Sequence, residues 1–423
     1  MIERIRQLFA DPAVRWLAAA RIIPIAAAPV ALWFLITRQA LSERGFYLIA
    51  INVVMFAQLF ETGMGTLVVQ FASRARPSER GAIRGAASKW YANAALLLAI
   101  IGSTVGTYVF WQGAAPGQLP VTLPWIVALA CTAAYVWLAP LICLREGLGG
   151  SDAVQKMRAV QAAVVAVAMI YGLMGGQGIA AAAAAAVAQL LVAGGFVWRE
   201  RRSLPSADAP TGRIADQYRV EQRKSAQVWI ALWVAPQLLT PATMLMRGAA
   251  EAGDIGLHVS LAFAPALLAI AWMHARYPRL GALVASGALR TFDDTARKAF
   301  AQAVTVYASS GAAIIGLAFL APFIFPFLAG RILSPLLVTV LLLGNLTIVG
   351  FQAMLAWFRA FGDEKFATQV VIACAAMAVG GMGGAALGGG LGAAVGYALT
   401  GVAVSVILGI GFSRLRAQRL AGA

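Results

Sequence analysis

Arg21 and Glu61 are ionisable residues set inside apolar runs of this 423-residue chain. A charged side chain near the middle of a bilayer-spanning helix costs several kcal/mol if it faces lipid, so such a group is expected to face water, a partner or a ligand. Arg21 lies six residues beyond Arg15, and Glu61 lies 13 residues before Arg74 on a helix running the other way, so similar depths are open to the two. Two readings follow. In one, the pair faces a cavity, where Arg21 attracts an anionic group and Glu61 positions that group or is displaced by it. In the other, the pair is a structural bridge between the first two helices, or Arg21 snorkels to the interface.

A second cluster, Arg247, Asp254 and His258, sits where the seventh and eighth apolar runs meet. Facing a cavity, Arg247 and His258 are substrate-binding candidates for sugar hydroxyls or phosphate; otherwise they are interfacial residues. His274, beside Arg276, reads as a headgroup contact. Pro24 and Pro29 interrupt the hydrogen-bond ladder of the first run, and Pro236 and Pro241 interrupt that of the seventh, which makes all four hinge candidates. Asn93, Gln189, Gln302, Asn345 and Gln352 read as hydrogen bonds between helices.

Enzyme chemistry is poorly supplied, and the chain is read as a non-enzyme. There are two histidines, and HExxH, a GxSxG context, a metal-ligand cluster and a Walker motif are all missing from the sequence, so no metal or cofactor is expected. Asp293–Asp294 reads as solvated charge in a basic loop. Cys131, Cys143 and Cys374 lie inside apolar segments and read as small core residues. The glycine spacing of GGGLGAAVG is that of a dinucleotide loop, but no strand precedes it.

These residues must be positioned by helices. The chain is 61% hydrophobic and 12% charged, with a mean hydropathy of +0.79, more than a soluble core requires. Only helices and closed barrels satisfy their backbone in lipid, and runs of 18 or more apolar residues are too long for barrel strands. Twelve spans are expected near 13–37, 45–73, 89–111, 121–144, 157–175, 178–198, 225–247, 254–274, 299–327, 334–358, 366–387 and 390–412. The first 12 residues lack the apolar core of a secretory signal and are expected to be retained.

The formal charge of +16 would fit nucleic acid only on a soluble basic face, and here the basic residues flank apolar runs. With both termini in the cytoplasm, 28 of the 33 Lys and Arg fall in inner segments and four in outer ones, a bias that supports this threading. The segments 74–88 and 275–297 are expected to form short amphipathic interfacial helices.

The polar stretch 199–223 is expected to link a six-helix lobe over 1–198 to another over 224–423. Four matched anchors support a duplication: Gly45 with Gly256, Lys89 with Lys298, Arg145 with Arg359, and Gly178 with Gly390, all at offsets of about 210 residues. Six helices is an even number, so the repeat is parallel, with an axis along the membrane normal. The expected fold is an all-α polytopic membrane protein with two parallel six-helix lobes around a central cavity. Ala180–Ala186 is expected to mark close helix packing and Gly380–Gly392 a tight outer turn.

The block ERGFYLIAINVVMFAQLFETGMGTLVVQFASR, the helix exit LICLREGLGGSDAVQKMRAVQ and the six-plus-six layout resemble the polysaccharide and oligosaccharide-lipid flippases of the multidrug/oligosaccharidyl-lipid/polysaccharide exporter superfamily. The resemblance implies passage of an undecaprenyl-pyrophosphate-linked oligosaccharide from the cytoplasmic to the periplasmic leaflet of a bacterial inner membrane. It implies membrane lipids and a polysaccharide polymerase as partners, with no nucleic acid. By placement, Arg21 matches the arginines that bind pyrophosphate in that family. Two departures stand beside it. Lipid II flippases of the superfamily commonly have two more spans, and its drug exporters usually carry an acidic residue in the first helix, where this chain has Arg21. The alternatives are a cation-coupled exporter of drugs or metabolites and a membrane-bound glycan-modifying enzyme.

Overall fold

The computed structural model describes residues 12–421 apart from 63, 114–121, 177, 209–211, 275, 277–279, 282, 285, 325–333 and 362–365. The described residues form helices joined by short turns, with no strand among them. The chain divides into two compact units, Met1–Trp229 and Ile230–Ala423.

The first unit opens with α1 (Pro12–Arg38) and then α2 (Leu41–Thr62), which is followed after a break by α3 (Gly65–Arg74). A 3₁₀ turn, Pro77–Glu79, leads into α4 (Arg80–Ile101), which a π turn at Gly102–Gly106 extends into α5 (Thr107–Gly113). Then come α6 (Thr122–Arg145), a π-type turn at Glu146–Gly150, α7 (Ser151–Met174) and α8 (Gly178–Glu200). The helix α9 (Arg213–Gln237) contains the unit boundary. It is followed by α10 (Leu239–Arg247), α11 (Ala249–His274), α12 (Leu289–Ile324), α13 (Pro335–Arg359) and α14 (Ala367–Ala421).

Among the described residues seven continuous helical stretches are long and apolar enough to cross a membrane, and the bent pair α9–α10 makes an eighth. Two of the seven are double-length: Leu123–Met174 has 52 residues and Ala367–Leu420 has 54, each about twice what a ~30 Å hydrocarbon layer needs. The first of these leaves helical geometry at Leu148–Gly149, the second at Gly388–Gly389. Gly389 takes φ +59°, where a side chain would be strained. Beyond it the two arms of α14 lie against each other: a β-carbon on Gly384 would sit 2.0 Å from the Gly392 carbonyl oxygen. With α1 and the α2–α3 pair this makes twelve membrane-length rods, six in each unit. The expected tight turn within Gly380–Gly392 is this hairpin.

The alanine run packs as expected. Ala181, Ala182, Ala185 and Ala186 are buried, and Gly172 of α7 comes so close to Ala181 that a β-carbon would meet its Cα at 2.6 Å. Small residues let the antiparallel α7 and α8 approach without large side chains between them.

Several boundaries differ from the sequence expectation. Residues 80–88 and 289–297 are the opening turns of α4 and α12 rather than separate interfacial helices. Their charges extend out of long helices, which the 18-residue apolar window does not register. The linker is likewise shorter than 199–223: α8 runs to Glu200 and α9 begins at Arg213. Part of what lies between is held down, because the Asp208 amide donates to the Gly81 carbonyl at 3.3 Å and Arg84 Nη1 donates to the Pro205 carbonyl.

Candidate functional site

In the first unit α2 ends at Thr62 and α3 begins at Gly65, within the sequence Glu61-Thr62-Gly63-Met64-Gly65. A break frees backbone carbonyls that neither water nor lipid can satisfy in a membrane, so neighbouring helices must take them up. Here Tyr91, fully buried on α4, donates its hydroxyl to the Phe60 carbonyl at 2.7 Å. The Phe60 ring stands edge-on to Tyr91 and Phe56 at centroid distances of 5.9 and 5.3 Å. Gly65 lets α3 close against α6, since a β-carbon there would lie 2.5 Å from Cys143 Sγ and 2.9 Å from the Phe60 oxygen.

Glu61 is in the last turn of α2, at this break, and Arg21 is in α1, but the side chains of both lie outside the described residues. The same holds for Gln58 and His274. Among the described residues α1 packs chiefly along α7. Lys156 of α7 places its ammonium 5.7 Å from the centroid of the Trp16 ring. Pro24 and Pro29 are exposed on α1, which runs through both as one helix. Asn52 is half-buried, and its amide nitrogen has no partner.

In the second unit α9 and α10 meet at Leu238 with a 41° bend. Pro241 has no N–H to offer the carbonyl of Gln237, four residues earlier, and its ring crowds that carbonyl, so the ladder fails there. Pro236 is buried just before the bend and Pro241 half-buried just after it. The side-chain oxygens of Gln237 and Thr240, both buried at the bend, have no hydrogen-bond partner.

Arg247 and His258 are structurally engaged. Arg247 donates to the carbonyls of Ala386 at 2.9 Å and Ala385 at 3.4 Å, the C-terminal end of the first arm of α14. One turn later, Glu251 accepts from the Gly390 amide at 2.6 Å, at the start of the second arm. A cation thus caps a helix C-terminus and an anion a helix N-terminus, each matched to the local end of the helix dipole. His258 is 1% exposed; its Nδ1 donates to the Asp254 carbonyl at 2.7 Å, and its Nε2 accepts from the Ser334 amide at 2.8 Å. Both ring nitrogens are used inside the protein, which leaves the ring none to offer a ligand.

The first unit has a related clamp. Gln39, buried between α1 and α2, donates to the Leu173 carbonyl at the end of α7 at 3.1 Å. Each unit therefore ties the junction of its first two spans to the turn between its last two, where Gly176 and Gly389 take φ +74° and +59°. Arg44, in the first turn of α2, is buried and donates to the Ile36 carbonyl at 2.7 Å.

Asp293 departs from its expected role as solvated charge. It is 5% exposed, accepts Arg416 Nε at 2.6 Å and Trp357 Nε1 at 3.2 Å, and pairs with Arg297 at 3.1 Å. The hydrogen bond to Asp293 pushes the Arg416 pKa further up. Asp294 is exposed, as expected. Asn345 joins spans as expected, donating to the Ala262 carbonyl at 2.9 Å and accepting from Tyr397 at 2.9 Å. Gln352 is buried with neither amide atom partnered.

The fold of the described residues is similar to that of solved membrane transporters of the MOP superfamily. It matches an inward-facing multidrug-resistance transporter of the MATE family with TM-score 0.70 and 12% identity, over 95% of this chain and 98% of that one. It matches the lipid II flippase MurJ, in an inward closed conformation, with TM-score 0.66 and 11% identity over 93% of this chain and 87% of that one. A MOP-superfamily transporter from Pyrococcus furiosus, noted for a binding pocket of reversed polarity, matches at TM-score 0.54 and 14% identity over 96% of each chain. No protein-family model matches the chain, and no curated protein matches it by sequence.

Proposed function

We propose that the protein is a membrane transporter that flips a polyprenyl-pyrophosphate-linked oligosaccharide from the cytoplasmic to the periplasmic leaflet by alternating access, for surface polysaccharide synthesis. The observation that carries the reading is the fold shared over more than nine-tenths of the chain with transporters, a lipid flippase among them. Broken spans support it, since transporters build substrate sites from discontinuous helices, and here the α2–α3 break falls beside Glu61. The physical logic is coherent: the lipid tails stay in the bilayer while the headgroup crosses a hydrated basic path, and Arg21 offsets the desolvation of pyrophosphate.

The substrate-binding candidates are Arg21, Glu61, Arg247 and His258, of which Arg21 and Glu61 are the first to test. Arg247 and His258 have structural duties that leave them little to offer a substrate. The test is a deletion strain analysed for surface polysaccharide and for lipid-linked glycan on each face of the inner membrane. Cytoplasmic-face accumulation with loss of surface glycan is expected. Periplasmic-face accumulation would point to a polymerase instead. The fold likeness to multidrug transporters favours one second reading, cation-coupled export with Glu61 as the coupling carboxylate. That reading predicts proton-dependent efflux that fails in Glu61→Gln.

A further inference from the structure

The basic end of α8 carries three exposed arginines, Arg199, Arg201 and Arg202. Arg145 pairs with Glu200, Arg158 with Glu146, Arg416 with Asp293, and Arg44, Arg84 and Arg276 donate to backbone carbonyls. Arg201 and Arg202, both exposed, have no carboxylate within ion-pairing distance among the described residues. Arg199, with its side chain 80% exposed, approaches Glu200 at 3.6 Å, but that carboxylate is already held by Arg145 at 2.8 Å. The Arg201 guanidinium lies 3.9 Å from the centroid of the Trp198 ring, which is itself 69% exposed.

Above this cluster an apolar track climbs the same helix face. Leu191, Gly195, Trp198 and Arg202 follow one another at four-, three- and four-residue steps, and all are exposed. At Gly195 a β-carbon would meet nothing within 4 Å, so the surface dips one turn above the tryptophan. An exposed tryptophan at a span's end marks the headgroup level. A dip bordered by Leu191 and ending in three arginines has an apolar part and a cationic part in the order of a phospholipid's tail and phosphate.

We infer that the inner end of α8 is a binding site for an anionic phospholipid. The phosphate lies against Arg199, Arg201 and Arg202, the glycerol level at Trp198, and an acyl chain runs over Gly195 and Leu191. Charge complementarity selects the headgroup, since each arginine near a membrane surface strengthens attraction to anionic lipid. The inference does not rest on the transport reading.

The test uses the purified full chain, delipidated and titrated with phosphatidylglycerol or phosphatidylcholine, with bound lipid counted by native mass spectrometry. Phosphatidylglycerol is expected to bind about tenfold more tightly than phosphatidylcholine, and the preference to vanish in R199A/R201A/R202A. Removing three inner charges risks misinsertion, so Gly195→Leu is the second variant; it fills the dip, keeps every charge, and is expected to weaken phosphatidylglycerol binding severalfold. Excess inorganic phosphate is expected not to displace the lipid. Equal binding of the two lipids, or unchanged binding in both variants, would overturn the inference. Displacement by phosphate would overturn it too, by reducing the site to a bare anion contact.

Discussion

At the scale of single residues, Arg44, Arg247, Glu251 and His258 hold the protein's own backbone. His258 bridges two elements through both ring nitrogens. Replacing it with Phe strands the Ser334 amide in a buried place and is expected to cost about 1–3 kcal/mol, read as a lower melting temperature in detergent. Because the ring has no nitrogen to spare, the variant protein that does fold is expected to transport normally per molecule. Selective loss of transport at normal stability would restore His258 as a ligand. The Arg247 and Glu251 caps make a paired prediction: Glu251→Gln weakens a charge-assisted bond to the Gly390 amide by about 1 kcal/mol, and Arg247→Ala removes a C-terminal cap worth about 0.3–1 kcal/mol. Thermal melts of both single variants and the double check this.

Sequence made the residue types visible but not their partners. Arg247 was legible as an unusual charge, while its partners are two backbone carbonyls 138 and 139 residues away, which no local pattern encodes. Glu251 drew no attention because an acidic residue in the first turn of a helix is common. Asp293 looked solvated because it sits among basic residues at the polar start of α12. Its neighbours Trp357 and Arg416 arrive from α13 and the far end of α14, so burial at that site comes from tertiary packing.

At the scale of elements, the breaks carry the functional argument. The α2–α3 break depends on Gly65 accepting Cys143 and on Tyr91 satisfying the Phe60 carbonyl. Gly65→Val forces overpacking, expected to cost about 1–3 kcal/mol. Tyr91→Phe leaves a freed carbonyl bare at about 1–3 kcal/mol. Transport is expected to fall in both variants, and an unchanged melting temperature and rate in both would show that the break is incidental. In the second unit, Pro241→Ala restores an N–H for the Gln237 carbonyl and is expected to straighten the bend at Leu238, measurable by spin-label distances across it. The helices themselves were largely legible, since hydropathy and basic flanks located all twelve rods. Their ends were not, because α4, α9 and α12 continue through charged turns that hydropathy scores as loop.

At the scale of the molecule, each unit pins its final hairpin with a side chain from the junction of its first two spans. The fold of membrane transporters follows from that layout, and sequence similarity to those proteins has fallen to 11–15%. Such a fold survives divergence because its requirements are apolar length, small residues at close contacts and glycine at the turns, all of which many sequences meet. Substrate identity has no comparable pattern, since it rests on a few side chains, of which Arg21 is the one proposed here.

The proposed function has the chain moving a lipid-linked anionic glycan, with Arg21 engaging its pyrophosphate. The most direct measurement is leaflet accessibility of a fluorescent polyprenyl-pyrophosphate oligosaccharide in liposomes containing the purified protein, wild type beside Arg21→Ala. The account predicts that the wild type makes inner-leaflet glycan accessible from outside and that Arg21→Ala, equally well inserted, loses most of that activity. A wild type that moves no glycan would contradict the claim, and full activity in Arg21→Ala would contradict the anion site.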